Sequence, residues 1–187
     1  MVPPRRTGAT YEDLLALPDN VVGELVAGEL YVSPRPAPPH AAAASALGEE
    51  LGPPFKRGRG GPGGWMMLGE PELHLGGDAL VPDLAGWRRE RMPEMPVDLP
   101  YFILAPDWVA EVLSPSTAAL DRGRKLAAYA RERVTHVWIV DPLARTLEVL
   151  ELDGATYRIV RVESGDACVR VVPFDAIELD LAVLWQR

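Results

Sequence analysis

An α+β fold, grading into α/β, is predicted by three features of this 187-residue sequence. Helix, strand, helix and strand signals follow one another along the chain, which argues for one mixed central sheet with helices on its faces. The run 108–113 alternates, placing Trp108, Ala110 and Val112 on one face and Val109, Glu111 and Leu113 on the other, as a central strand would. Two hairpin signals flank the middle of the chain, one at Ala27-Gly28 and one at Asp153-Gly154, the latter a strong type I′ signal. With 48% hydrophobic and 25% charged residues the chain can bury a core, and its length suits one domain over residues 1–187.

Each element follows from local signals. Residues 10–17 read as a short helix with Thr10 as N-cap and Asp13 at the third helical position, stopped by Pro18. Residues 21–26 and 29–32 form the N-terminal hairpin. Four prolines between 34 and 39 make an extended connector to an Ala-rich helix over 40–51. The glycines of 58–64 read as a flexible surface turn. Strands are then expected over 65–68, 72–75, 79–87 and 108–113, with a proline-rich loop over 88–107. A helix over 120–133 carries Leu126, Tyr129, Ala130 and Val134 as its apolar stripe. A short apolar strand at 137–140 precedes the C-terminal hairpin, 146–152 with 156–162, and a mixed segment over 173–186 closes the chain.

Composition narrows the function. A net charge of −8 argues against avid, nonspecific nucleic-acid binding, which wants a broad basic face. It leaves room for local basic patches at Arg88-Arg89-Glu90-Arg91 and Arg122-Gly123-Arg124-Lys125. The lone Cys168 rules out an internal disulfide and reads as a small buried hydrophobe. No signal peptide and no membrane span are expected, which points to the cytoplasm.

The chemistry-bearing candidates are carboxylates in apolar runs and one lysine. Asp83 follows Pro82 within an otherwise apolar segment, and Glu111 sits in the central strand; either is costly to bury unless paired or metal-bound. Positive charge is written as 17 arginines and only two lysines, Lys56 and Lys125. A retained lysine marks a place where a compact ammonium can do what a planar guanidinium cannot. Lys125 reads as a half-exposed position on the helix after the Glu111 strand, and its plain alternative is a surface pair with Asp121.

Six segments carry a resemblance to a known family: residues 23–30, Ser33-Pro34-Arg35 with His40 shortly after, 81–84, 109–117, 121–130 and 137–142. In order and over nearly the whole chain they are similar to the Uma2-type endonucleases of the PD-(D/E)xK nuclease superfamily. The resemblance implies a restriction-endonuclease-like core and hydrolysis of DNA phosphodiesters with Mg²⁺ (or Mn²⁺). It implies Asp83, Glu111 and the backbone carbonyl of Val112 as metal ligands and Lys125 as the catalytic cation. Glu24 matches the family's first hairpin glutamate and His40 its helix-start histidine; Glu24 enters as a further catalytic candidate. His40, Arg122 and Arg124 are expected to meet substrate. One departure stands out: the superfamily's usual lysine position, two after the glutamate, is Leu113 here, so Lys125 must come from the next helix. The family's hairpin-turn Asp is Ala27. Cutting both strands of a duplex favours a homodimer or higher homo-oligomer. The alternative from a different class is a catalytically idle nuclease-fold module that binds a protein partner or oligomerises.

Overall fold

The computed structural model describes residues 5–186, which begin with a short strand, β1 (Arg5–Thr7), and a helix, α1 (Tyr11–Leu15). Thr10 caps α1 reciprocally: its hydroxyl accepts from the Asp13 N–H, while the Asp13 carboxylate accepts from the Thr10 N–H at 2.9 Å. Strands β2 (Val21–Val26) and β3 (Glu29–Pro34) form the expected hairpin. Both turn residues have positive φ, 53° at Ala27 and 72° at Gly28, which is the type I′ pattern.

Helix α2 (Pro38–Leu51) starts two residues earlier than the sequence suggests, because Pro38 and Pro39 occupy the first turn, where no N–H is needed. It widens into a π-type turn, Gly52–Lys56, where the Arg57 N–H reaches the Gly52 carbonyl at 3.2 Å. Pro53 and Pro54 cannot donate, so the ordinary ladder ends there. The glycine segment that follows is pinned rather than flexible. Arg59 and Gly63 donate their N–H groups to the carbonyls of Pro53 and Pro54, both at 2.8 Å, and a Cβ at Gly61 would lie 2.5 Å from that of Pro54.

Next come β4 (Trp65–Gly69), β5 (Leu73–Leu75), β6 (Asp78–Leu80), β7 (Leu84–Arg88) and β8 (Trp108–Val112). The expected single strand over 79–87 is thus two strands in two different sheets. Pro82 has no N–H to continue a ladder, and the chain crosses between sheets at residues 81–83. A helix then runs as α3 (Ala118–Leu120), a wide π-type turn (Asp121–Lys125) and α4 (Leu126–Arg131). It connects β8 to β9 (His136–Asp141), a parallel pair that needs such a crossover.

The C-terminal hairpin joins β10 (Thr146–Asp153) to β11 (Thr156–Ser164) through Gly154 and Ala155. Only Gly154 has positive φ, 64°, so the pattern is that of a type II′ turn and not the expected type I′. A two-stranded ribbon, β12 (Cys168–Val169) with β13 (Leu179–Asp180), and a 3₁₀ turn, Leu181–Trp185, end the chain. Cys168 is exposed, contrary to expectation, because its strand lies at the surface with alternate residues outward.

The larger sheet has the order β11-β10-β9-β8-β7-β4, antiparallel except at β8-β9; the smaller, β1-β3-β2-β6-β5, is antiparallel throughout. The alternation along β8 holds. Trp108, Ala110 and Val112 join Leu47, Leu51, Trp138 and Phe174 in a core beneath α2 and the C-terminal segment. Val109 and Leu113 join Tyr129, Leu73, Leu80 and Ile139 on the other face, beneath α4 and the smaller sheet. Gly86 in β7 leaves room for its sheet neighbours on the α2 side: a Cβ there would meet the rings of Trp65 in β4 and Trp108 in β8 at 3.2 Å. Glu111 therefore points into the apolar layer between sheet and α4, where only specific partners can hold it.

Candidate active site

The crossing at residues 81–83 exposes backbone groups that a continuous strand would have paired, and acidic side chains take them. The Val81 N–H donates to Glu24 Oε1 at 2.8 Å, and the Val112 N–H donates to Asp83 Oδ2 at 2.7 Å. These side-chain bonds stand in for ladder bonds and fix both carboxylates at the junction of the two sheets. Since β7 runs antiparallel beside β8, with Leu84 opposite Ala110, Asp83 arrives next to the Glu111 end of β8.

Lys125 enters from the wide turn of the crossover helix. Its Nζ lies 2.9 Å from each carboxylate oxygen of Glu111, 2.9 Å from Glu24 Oε1, 3.5 Å from Asp121 and 3.3 Å from the Val81 carbonyl. Its side chain is 2% exposed, so the expected half-exposed position is in fact buried. Asp121 does pair with it, but inside the protein rather than on the surface. The Tyr129 hydroxyl donates to Glu111 Oε1 at 2.5 Å, closing the cluster on the helix side.

Electrostatics follow from this crowding. Burial would lower the Lys125 pKa, yet the charges of Glu111 and Glu24 above all hold it well above its usual value, so the ammonium stays protonated. One cation cannot satisfy every carboxylate around it. Burial pushes Glu111 well up against the pull of Lys125, and pushes Asp121 to about 6. The crowding therefore favours the protonated forms of Glu111 and Asp121 more than water does, and the wide helical turn, a feature common at functional sites, is what brings Asp121 and Lys125 into the cluster.

His40, in the first turns of α2, faces the same junction. Its Nε2 lies 3.1 Å from Asp83 Oδ1, and its Nδ1 is buried without a hydrogen-bond partner. Burial lowers its pKa, but the Asp83 hydrogen bond and charge, with Asp121 and Glu70 behind them, raise it on balance. A cavity of about 280 Å³ opens over these groups and is lined by Glu24, Glu70, Asp83, Glu111 and Asp121. Only Lys125, Arg35 and His40 oppose them as basic groups on that lining.

This donor set fits a hard divalent ion of the Mg²⁺ type. The lining has a surplus of carboxylate oxygen, and such an ion takes one or two carboxylates and keeps its waters. Among the described residues no group of three or more His, Cys, Asp or Glu side chains is placed to hold a metal ion, so any ion here would rest on two carboxylates with backbone and water.

Of the residues expected at the site, Asp83, Glu111, Val112, Lys125, Glu24 and His40 converge on the cavity. Arg122 and Arg124 do not line it. Arg122 is held in a bidentate pair with Glu148 at 2.8 and 2.5 Å, and Arg124 pairs with Glu29 at 3.1 Å while lying over Tyr31. Sequence reasoning placed Tyr129 in the apolar stripe and missed its bond to Glu111. The signal was present, for Asp121, Lys125 and Tyr129 recur every four residues on one helix face. Glu70 and Arg35 reach the cavity from loops; Arg35 lies in the Ser33-Pro34-Arg35 segment of the family resemblance, whereas no local pattern marks Glu70 as a site residue.

A family model described as "Uma2: Putative restriction endonuclease" matches residues 10–183. No curated protein matches the chain. Among solved structures, the crystal structure of a "putative nuclease belonging to DUF820" from Anabaena variabilis ATCC 29413 is 23% identical, covers 95% of this chain and 97% of its own, and superposes with a TM-score of 0.75. That likeness extends to the fold: a mixed sheet flanked by helices.

Proposed function

Because the chain belongs to the Uma2 family, we propose that it hydrolyses DNA phosphodiesters with a divalent metal ion, as an endonuclease. The observation that carries the reading is the convergence of Asp83, Glu111 and Lys125, from the crossing before β7, strand β8 and the wide turn of the crossover helix, on one cavity. Asp83 and Glu111, with the Val112 carbonyl, would hold Mg²⁺ or Mn²⁺. When bound, the ion lowers the pKa of a water and neutralises charge on the scissile phosphate.

The chain's own groups do the rest. Lys125, fixed between Glu111 and Glu24, presents a preorganised positive charge beside that phosphate without reorganisation at the moment of reaction. His40 orients the Asp83 carboxylate through Oδ1, leaving Oδ2 tied to β8. Glu24 anchors Val81 and Lys125 together and is thereby a positioning residue. Two copies, each cutting one strand, make a homodimer the matching assembly. Incubated with supercoiled plasmid and Mn²⁺, the protein should nick and linearise it, while Asp83→Asn and Glu111→Gln should not. Equal cutting by parent and variants would sink the assignment.

One observation favours a second reading. Glu111 is already satisfied by Lys125 and Tyr129, as a purely structural ion cluster would be in an idle module that binds a protein partner.

A further inference from the structure

The arginines of this acidic protein are mostly spoken for. Arg6, Arg122, Arg124, Arg131, Arg145, Arg158 and Arg161 each pair with a carboxylate, and Arg133 and Arg170 donate to backbone carbonyls. Among the described residues, Arg35 also lacks an acidic partner and donates to the Asp19 carbonyl, whereas the side chains of Lys56, Arg57, Arg59 and Arg89 make no ion pair, hydrogen bond or ring contact, and the two segments that carry them meet. The pairing of β4 with β7 ends at Trp65 opposite Arg88, and the Arg89 N–H donates to the Gly64 carbonyl at 2.9 Å. This joins the turn 88–91 to the pinned glycine loop that follows Lys56. Arg88, its guanidinium over the Trp65 ring at 4.7 Å, and Arg91, paired with Asp107, complete the patch. Arg57, Arg59, Arg88, Arg89 and Arg91 are exposed.

We infer that these two turns form a second binding surface, an anchor for the phosphate backbone of duplex DNA remote from the carboxylate cavity. Four cations without a side-chain partner, diluted in the same turn only by the exposed Glu90, form a local positive patch on a protein of net charge −8, and a polyanion is the ligand such a patch attracts. The loop geometry suits contact with a rigid surface. The glycines leave no side chain between the arginines and a ligand, positive φ at Gly58, Gly60, Gly63 and Gly64 shapes the rim, and the bonds to Pro53 and Pro54 hold it in place. The two turns expose no large apolar side chain of the kind a membrane-binding surface inserts.

The spacing is also right for one duplex reaching both places. From Asp83 to Arg89 the chain runs along β7, about 20 Å at about 3.3 Å per residue. Helix α2 leads from His40 to Leu51, towards the same loop, over about 17 Å at 1.5 Å per residue. These lengths span about five to six base pairs at about 3.4 Å each. The anchor thereby offsets the acidic cavity, which on its own repels phosphate. The inference deepens the nuclease reading and rests on it for the choice of DNA as the polyanion.

The test is anisotropy of a labelled duplex without divalent ion, titrated at salt concentrations between roughly 50 and 200 mM. The triple reversal Arg57→Glu/Arg59→Glu/Arg89→Glu should bind at least tenfold more weakly than the parent, with a log–log salt slope shallower by about 3. A control triple, Arg145→Glu/Arg158→Glu/Arg161→Glu, changes net charge equally and should bind close to the parent. Should the reversal triple fold poorly, Arg89→Gln alone should lower the slope by about 1. Parent-like affinity and slope in the patch variants, equal loss in the control, or parental binding to phosphatidylserine vesicles but not to the duplex would each overturn the inference. Failure of the nuclease reading would look different: patch-dependent binding with no Mn²⁺-dependent cleavage.

Discussion

At the level of single residues the site is governed by one buried ammonium among carboxylates. Removing it strands the charges it compensates, so Lys125→Met should destabilise the fold by about 3–5 kcal/mol in denaturant unfolding. Adding Glu111→Gln to it should recover part of that loss, because the charge left uncompensated is then gone. Sequence reasoning alone expects Lys125→Arg to fold normally; the burial reverses this, since a larger planar guanidinium has no room between Glu24 and Glu111. Asp121 gives a pH signature. Burial raises its pKa from 3.8 to about 6, so the folded state prefers its protonated form. Its stabilising contribution is full below about pH 4 and is lost as pH rises through about 6. Asp121→Asn mimics the protonated form and should match the parent near pH 4, then gain on it by up to about 3 kcal/mol by pH 8. A melting-temperature difference that is flat across this range would show that Asp121 titrates normally in the fold.

At the level of elements, strong local chemistry made structure legible and side-chain substitution for backbone bonds hid it. The capping box of α1, the Ala27-Gly28 hairpin and the alternation of β8 were readable because each is decided within a few residues. The break at residues 81–83 was not, because the partners that make it tolerable, Glu24 and the Val112 N–H, are distant in sequence. Pro82 was the local warning. The N-terminal hairpin carries an avoidable cost: Ala27 holds φ at 53°, a region in which a Cβ is strained by about 1–2 kcal/mol. Its N–H donates to Asp78 Oδ1 at 2.7 Å, a bond any residue but proline retains. Ala27→Asn should raise stability by about 0.5–1 kcal/mol, as asparagine tolerates this backbone better. Calorimetry showing a lower melting temperature would mean that contacts of the Ala27 methyl outweigh the backbone relief.

Across the whole molecule the candidate site exists only where two sheets and the crossover helix meet, so which residues come together is legible from order and residue type while their burial and electrostatic state are not. Asp83 and Glu111 are visible as carboxylates in apolar runs and Lys125 as one of two lysines among many arginines; Tyr129's part and the burial of Lys125 depend on the wide turn that sets the helix phase. A metal held as proposed would bind the folded state alone, because unfolding separates Asp83 from Glu111. An ion that binds only the native form stabilises it by about 2.7 kcal/mol at a hundred times its dissociation constant. For a chain of this length each kcal/mol corresponds to a rise of roughly 2–4 °C in melting temperature. Millimolar Mn²⁺ should therefore raise the melting temperature of the parent by several degrees, and Asp83→Asn should abolish that rise. The Arg57→Glu/Arg59→Glu/Arg89→Glu variant should keep it, since those residues lie away from the cavity lining. If the parent shows no rise with Mn²⁺ or Mg²⁺, Lys125 is the only cation the carboxylates hold, and the idle-module reading takes precedence over the nuclease.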